Sequence, residues 1–122
     1  MPDESTAILT IDLAAIAANY RYLAAQVAPA ICAGVVKADA YGLGAAVVAP
    51  VLQRAGCRHF FVATLDEGLA LRRELPHAPV YILNGLPTGA AATAADAALI
   101  PVLATLGQIE EWRRFCAGAS PQ

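Results

Sequence analysis

The chain has 122 residues, 58% of them hydrophobic and 15% charged, with a formal net charge of −2. That length suits one small domain or a piece of a larger one, and a slightly acidic balance without a basic run argues against nucleic acid as a partner. Apolar stretches are interrupted at Pro50, Asp96 and Pro101 before reaching the roughly 18 residues that a membrane span needs.

The first six residues are polar and are expected to fray. Ala7–Ile11 alternates weakly, as a short strand would. Asp12 is a good N-cap for a helix whose apolar positions Leu13, Ile16, Ala17, Tyr20, Leu23, Ala24 and Val27 share one face. Pro29 ends it.

Ile31–Val36 is a continuous apolar run, which predicts a strand buried on both faces, as in a parallel sheet. It stops at Lys37. Side chains alternate across a strand, so Ala33, Val35 and Lys37 share a face, and the lysine should stand in line with core residues. The C-terminal end of a parallel strand is where α/β folds build their sites. Gly42-Leu43-Gly44 reads as the turn into the next helix, and Gly56 as its stop. Proline in a helix interior costs about 3 kcal/mol. The helix is therefore expected to start near Ala49, with Pro50 in its first turn and an irregular segment ahead of it.

His59–Ala63 is the second predicted strand. Thr64 to Glu67 has capping-box spacing and opens a helix to about Leu75, so Glu67 reads as a cap rather than a catalytic group. Arg72 and Arg73 fall in the last turn, where solvated cations are favoured. Val80–Leu83 is the third strand, and Asn84-Gly85 follows on the same rim as Lys37. Thr88 is expected to cap an alanine-rich helix, Gly89–Ala98. Leu99–Ala104 is the fourth strand, with Pro101 tolerated near its start or at an edge. Thr105 to Gln108 repeats the capping spacing. The last helix runs to about Cys116, with Ile109, Trp112 and Phe115 facing the sheet.

Four strand-helix units after a leading helix imply a parallel sheet with right-handed crossovers. Four strands cannot close a barrel, and they leave two edges unpaired. A further part of a barrel is expected to pair with this one. No basic-then-apolar leader opens the sequence, so no signal peptide is expected. Cys32, Cys57 and Cys116 are widely spaced without a CxxC pair, which reads as reduced, buried thiols of a cytosolic protein rather than metal ligands.

Lys37 admits two readings. A lysine closing a strand is ordinarily a solvated cap. A partly desolvated amine instead loses its charge more readily and becomes a nucleophile able to condense with an aldehyde cofactor. Tyr41 offers a hydroxyl to a phosphate, and the flanking glycines let backbone approach a ligand. His59 and His77 are isolated, and Tyr20, Tyr22 and Tyr81 carry no pattern linking them to the site. Neither GxxxxGKS/T nor GxGxxG occurs, so a nucleotide loop has no support.

The string Lys37-Ala38-Asp39-Ala40-Tyr41-Gly42-Leu43-Gly44 resembles the pyridoxal-phosphate attachment motif of alanine racemases, with Leu43 where that family usually has histidine. Ile11 to Arg21 resembles the family's N-terminal signature, as does Val62 to Arg72 further on. The likeness runs from about Ala7 to Cys116. It implies an α/β fold of parallel (β/α) units from a TIM-type barrel. A full barrel takes about 250 residues, so residues 1–122 would form about its first half. The remaining barrel and a C-terminal β domain would lie elsewhere.

The resemblance further implies an isomerase that interconverts L- and D-alanine and supplies D-alanine for peptidoglycan. Its cofactor would be pyridoxal 5′-phosphate (PLP), held as an internal aldimine on Lys37. Tyr41 would bind the cofactor phosphate, and Leu83 would lie near the ring. The full-length protein is expected to be a cytoplasmic homodimer. The second catalytic base, a tyrosine in the family, and the arginine for the substrate carboxylate are not among these residues, so the 122 residues alone are expected to be inactive. A non-catalytic PLP-binding barrel with the same lysine stays open as the alternative, and a barrel decarboxylase as a weaker one.

Overall fold

In the computed structural model, residues 4–118 are described; Met1 to Asp3, part of the stretch expected to fray, lie outside them. Helix α1 (Leu13–Val27) leads into four strands alternating with helices: β1 (Gly34–Val35), α2 (Lys37–Tyr41), α3 (Ala45–Arg54), β2 (Phe60–Val62), α4 (Leu65–Glu74), β3 (Val80–Ile82), α5 (Ala91–Asp96), β4 (Leu99–Pro101) and α6 (Leu106–Gly118). The strands form one sheet in the order β1-β2-β3-β4, all parallel.

The register explains which side chains are covered. Gly34, Phe60, Val80 and Leu99 stand side by side and are all buried under the helices. The next row is Val35, Phe61, Tyr81 and Ile100, and none of these is buried. The row after that, Val36, Val62 and Ile82, is buried again. The helices therefore cover one face and leave the other bare. This corrects the expectation of a first strand buried on both faces: Val35 is 45% exposed and Ile31 73%. An apolar run alone cannot distinguish a strand covered on two sides from one whose second apolar face is open.

The helix-covered core centres on Phe60, Val80, Ile82, Leu75, Ala49 and Ala94, each 0% exposed. Gly34 lets β1 lie close to α3, because a Cβ there would stand 3.1 Å from both Cys57 Sγ and Leu52 Cδ1. In α1, Asp12 caps the first turn by accepting from Ala15 N at 3.0 Å. Its apolar stripe is used in part: Ala17 is buried, while Leu23 and Val27 are exposed.

Several expected elements differ. Ala7–Ile11 forms no strand, and Ile8 and Leu9 are each 80% exposed; a strand needs a partner for its backbone donors and acceptors. Helix α3 begins at Ala45, not near Ala49, and runs through Pro50. Ala46, whose carbonyl loses its intrahelical partner there, is exposed. Thr88 does not cap α5, which starts at Ala91 with Ala90 as N-cap. The fourth strand ends at Pro101, and the third at Ile82. Val102 N bonds to Ile82 O at 2.9 Å, so the alternating ladder points the donorless nitrogen of Pro101 to the free edge. Helix α6 packs mainly on α5, and of its three aligned apolar residues only Trp112 packs against the buried core. Of the cysteines only Cys57 is buried; Cys32 is half-buried and Cys116 exposed. Burial pushes the Cys57 thiol up.

Arg72 is no solvated cation. Its guanidinium donates to four carbonyls: Ala97 at 2.9 Å and Ala98 at 2.9 Å, at the end of α5, and Leu75 at 2.8 Å and Ala78 at 2.7 Å, leading into β3. These are helix-end and loop carbonyls that lack regular partners, and the fork-shaped donor set serves them together.

Candidate active site

Lys37 is the chain's sole lysine, the other seven of its eight basic residues being arginines. It follows the last ladder bond of β1, in which Val36 N donates to Phe61 O at 2.9 Å. One more step of the register sets Lys37, Ala63 and Leu83 in a row, and Leu83 N bonds to Val62 O at 2.8 Å in keeping with it. The preceding row, Val35, Phe61 and Tyr81, lies on the bare face, and Lys37, Ala63 and Leu83 are each half-buried rather than buried in the core. The backbones of Lys37 and Leu83 are two strands apart, about 10 Å at ordinary strand spacing.

Beyond Lys37 the backbone turns left-handed. Ala38, Asp39, Ala40 and Tyr41 have φ of 50°, 53°, 55° and 55°. Each such residue costs about 1–2 kcal/mol when it carries a Cβ, so the run needs support. Ala40 N bonds to Val36 O at 3.0 Å, Gly42 N to Ala38 O at 3.0 Å and Gly44 N to Asp39 O at 2.8 Å. Gly42 and Gly44 close the turn at φ of 87° and 95°, where a side chain would be strained.

Two carboxylates brace the turn from either end. Asp39 Oδ1 accepts from Ala45 N at 2.8 Å and so caps α3. Glu67 Oε1 accepts from Ala38 N at 3.3 Å, and Oε2 from Ala63 N at 3.0 Å. Thr64 Oγ1 accepts from Glu67 N at 3.3 Å, which is the capping role expected of that segment.

The turn carries Tyr41 back beside the lysine. Lys37 Nζ stands 5.9 Å from the centroid of the Tyr41 ring. Lys37 is half-buried, and Tyr41 is 64% exposed on the same rim. The expected site residues thus gather at the C-terminal ends of the strands: Lys37 and Tyr41 adjacent, and Leu83 across the row, half-buried. Chemically this offers one primary amine, one phenol and an apolar wall, flanked by backbone that glycine keeps clear.

Other candidates lie apart. His59 and His77 line a cavity of about 430 Å³ with Arg58 at the opposite ends of the strands. His59 Nδ1 is 3.1 Å from Tyr81 Oη, and Tyr81 stacks on Phe61 with ring centroids 4.5 Å apart. Among the described residues no group of three or more His, Cys, Asp or Glu is placed to hold a metal ion, and no helix is long and apolar enough to cross a membrane. The sequence reading missed the reach of Asp39 and Glu67. The Thr64–Glu67 spacing was visible, but nothing local signals a bond to Ala38, which lies 29 residues away.

Parallel (β/α) units with a lysine and a tyrosine at the C-terminal rim place this chain among barrel-type α/β proteins with an amine-bearing site. The family model for the alanine racemase N-terminal domain matches residues 11–122, and the chain belongs to that family. It is 56% identical over 108 residues to the alanine racemase of Methylobacterium sp. (strain 4-46), covering 88% of this chain and 30% of that protein. To the alanine racemase of Rhodospirillum rubrum it is 52% identical over 119 residues, covering 96% and 32%. The crystal structure of alanine racemase from Bartonella henselae with covalently bound pyridoxal phosphate superposes with a TM-score of 0.86 at 49% identity, covering 88% of this chain and 32% of that one. The biosynthetic alanine racemase of Pseudomonas aeruginosa gives a TM-score of 0.80 at 31% identity. The chain spans about a third of the length of these relatives. Its fold is the first part of their TIM-type barrel.

Proposed function

We propose that this chain supplies the cofactor-holding part of a PLP-dependent alanine racemase, an isomerase that interconverts L- and D-alanine. The observation that carries this reading is Lys37 at the end of β1 with its Nζ 5.9 Å from the Tyr41 ring, within a chain whose family model matches residues 11–122. In this reading residues 1–122 are the N-terminal part of a PLP-binding (β/α)8 barrel domain. The remaining barrel strands and a C-terminal β domain belong to the full-length protein, a cytoplasmic homodimer that provides D-alanine for peptidoglycan.

The residues present suit such a cofactor. Lys37 offers the amine that condenses with its aldehyde. The Tyr41 hydroxyl would donate to its phosphate, and Leu83 would give its ring an apolar neighbour. When bound, PLP supplies an electron-withdrawing ring that takes up the electron pair left as an amino acid loses its Cα proton. The Lys37 amine, when not bonded to the cofactor, would remove or return that proton on one face of the carbon. Inversion needs a second acid–base group on the opposite face, which the rest of the protein would provide. A non-catalytic PLP-binding barrel would share the lysine, but the close relatives are racemases and favour the catalytic reading.

The test is direct. The chain is mixed with PLP, reduced with borohydride and digested, and the labelled residue is mapped. Label on Lys37 is expected, with none in Lys37→Ala and about tenfold weaker binding in Tyr41→Phe from loss of one charge-assisted hydrogen bond. A chain that takes up label at its α-amino group alone sinks the assignment. The full-length protein should then interconvert the two alanine enantiomers, whereas residues 1–122 by themselves should not.

A further inference from the structure

We infer that Glu67 is a positioning residue for Lys37: its carboxylate fixes the peptide that follows the lysine and so sets the direction in which the amine leaves the strand. This rests on the reading of Lys37 as the cofactor amine. Ala38 is the first residue of the left-handed run, at φ 50°, a backbone state unfavourable for alanine. Its N–H is held by Glu67 Oε1 at 3.3 Å. The same carboxylate takes Ala63 N at 3.0 Å, and Ala63 is next to Lys37 in the row. One side chain thus ties the ends of β1 and β2 together at the lysine. Rotation about the Ala38 φ turns the peptide attached to Lys37, so releasing that N–H frees the lysine's Cα–Cβ direction.

Capping alone does not account for this geometry. In a capping box the acid returns to the N–H of the N-cap residue itself, here Thr64. The Glu67 carboxylate instead reaches past it to Ala63 and across to the neighbouring strand end. The helix it grows from is well anchored, since Gly68 N bonds to Thr64 O at 3.0 Å, and a Cβ on Gly68 would stand 3.1 Å from Leu99 Cδ1.

The same device recurs with different chemistry. Gln108, three residues after Thr105, accepts from Ala104 N at 2.7 Å through Oε1 and donates to Leu86 O at 3.4 Å through Nε2. There the partners are one donor and one acceptor, and an amide matches both. At Glu67 both partners are N–H donors, and only a carboxylate accepts from both. The residue type is therefore matched to the site beside Lys37.

The experiment compares the unaltered chain with Glu67→Ala, Glu67→Gln and Thr105→Ala, the last removing the cap of the distant α6. Amide hydrogen exchange, read without cofactor, should speed up at least about tenfold at both Ala38 and Ala63 in Glu67→Ala, and at one of the two in Glu67→Gln. PLP binding, followed by the absorbance of the lysine-bound cofactor, should weaken about tenfold in Glu67→Ala and less in Glu67→Gln. It should stay unchanged in Thr105→Ala despite that variant's own loss of stability. Unchanged exchange at Ala38, or a fall in PLP affinity no greater than in Thr105→Ala, overturns the role. Should Glu67→Ala fail to fold, Glu67→Gln decides on the same readouts. An unaltered chain that leaves Lys37 unlabelled after reduction overturns the cofactor reading and this role with it. A labelled chain with unaffected Glu67 variants overturns the role alone.

Discussion

The Asp39 carboxylate accepts a hydrogen bond from Ala45 N at 2.8 Å, and this contact joins the left-handed turn after Lys37 to the first residue of α3. The N-cap position itself is Gly44, which has no side chain to offer. The aspartate six residues back does the capping, so helix start and turn geometry depend on one group. Asp39→Ala should lower unfolding free energy by about 1 kcal/mol, the ordinary worth of a cap, and Asp39→Asn by less, because an amide oxygen still accepts. Urea midpoints measure both; equal losses in the two variants would rule out the cap.

Arg72 makes its four bonds to carbonyls of Leu75, Ala78, Ala97 and Ala98. Lysine at this position keeps the charge but not the fork, so it cannot reach both groups of carbonyls. Arg72→Lys is expected to destabilise by about 2 kcal/mol and Arg72→Ala by about 3 kcal/mol, in line with charge-assisted bonds to otherwise unpaired carbonyls. If both variants melt with the unaltered chain, the guanidinium is not holding α4, α5 and β3 together.

Gly68 sits in the first half of α4, in a helix where alanine would gain about 1 kcal/mol by propensity alone. A Cβ there would stand 3.1 Å from Leu99 Cδ1 and 3.6 Å from Ile82 Cγ1, both in the buried core. Overpacking of that kind costs about 1–3 kcal/mol, so Gly68→Ala should come out destabilised by about 1 kcal/mol net. Denaturant titration reads the sign directly, and a stabilised variant would mean that the helix–sheet contact is looser than the distances indicate.

On the exposed face of α6, hydrogen bonds from Arg113 and then Arg114 lower the Glu110 carboxyl to about 2 from an ordinary 4.5. A depressed carboxylate contributes stability that is present above its unfolded value and lost as pH falls through its folded value. The window here runs from about 4.5 down to about 2. An NMR titration of the Glu110 carboxyl carbon should show a midpoint near the lower figure at low salt. It should rise in Arg113→Gln, and also with added salt, because solvent screens this surface pair.

The elements themselves were legible to different degrees. The Asp12, Thr64 and Thr105 caps were readable because a cap bonds three residues along its own chain. Pro50 misled, because its local penalty pointed to a late helix start, while the Asp39 cap that draws the start to Ala45 depends on the intervening left-handed turn. Arg72 misled for a related reason: its position in the last turn suggested solvent, but its partner Ala97 lies 25 residues on. Ile109 and Phe115 shared the predicted face with Trp112, yet α6 packs mainly on α5 and only Trp112 reaches the buried core.

By itself, the sequence determined the strand-helix alternation, the family and the placing of Lys37, Tyr41 and Leu83 at one rim. Each of those follows from periodicity, turn chemistry or a contiguous motif, all of which act over a few residues. Only the tertiary structure decided that the face of β1 carrying Val35 is left bare, that Ala38 to Tyr41 coil left-handed, and that Glu67 and Arg72 reach across to other units. Those outcomes depend on how neighbouring strands align, and an alignment between segments some 20 to 30 residues apart leaves no trace in the local pattern of either one.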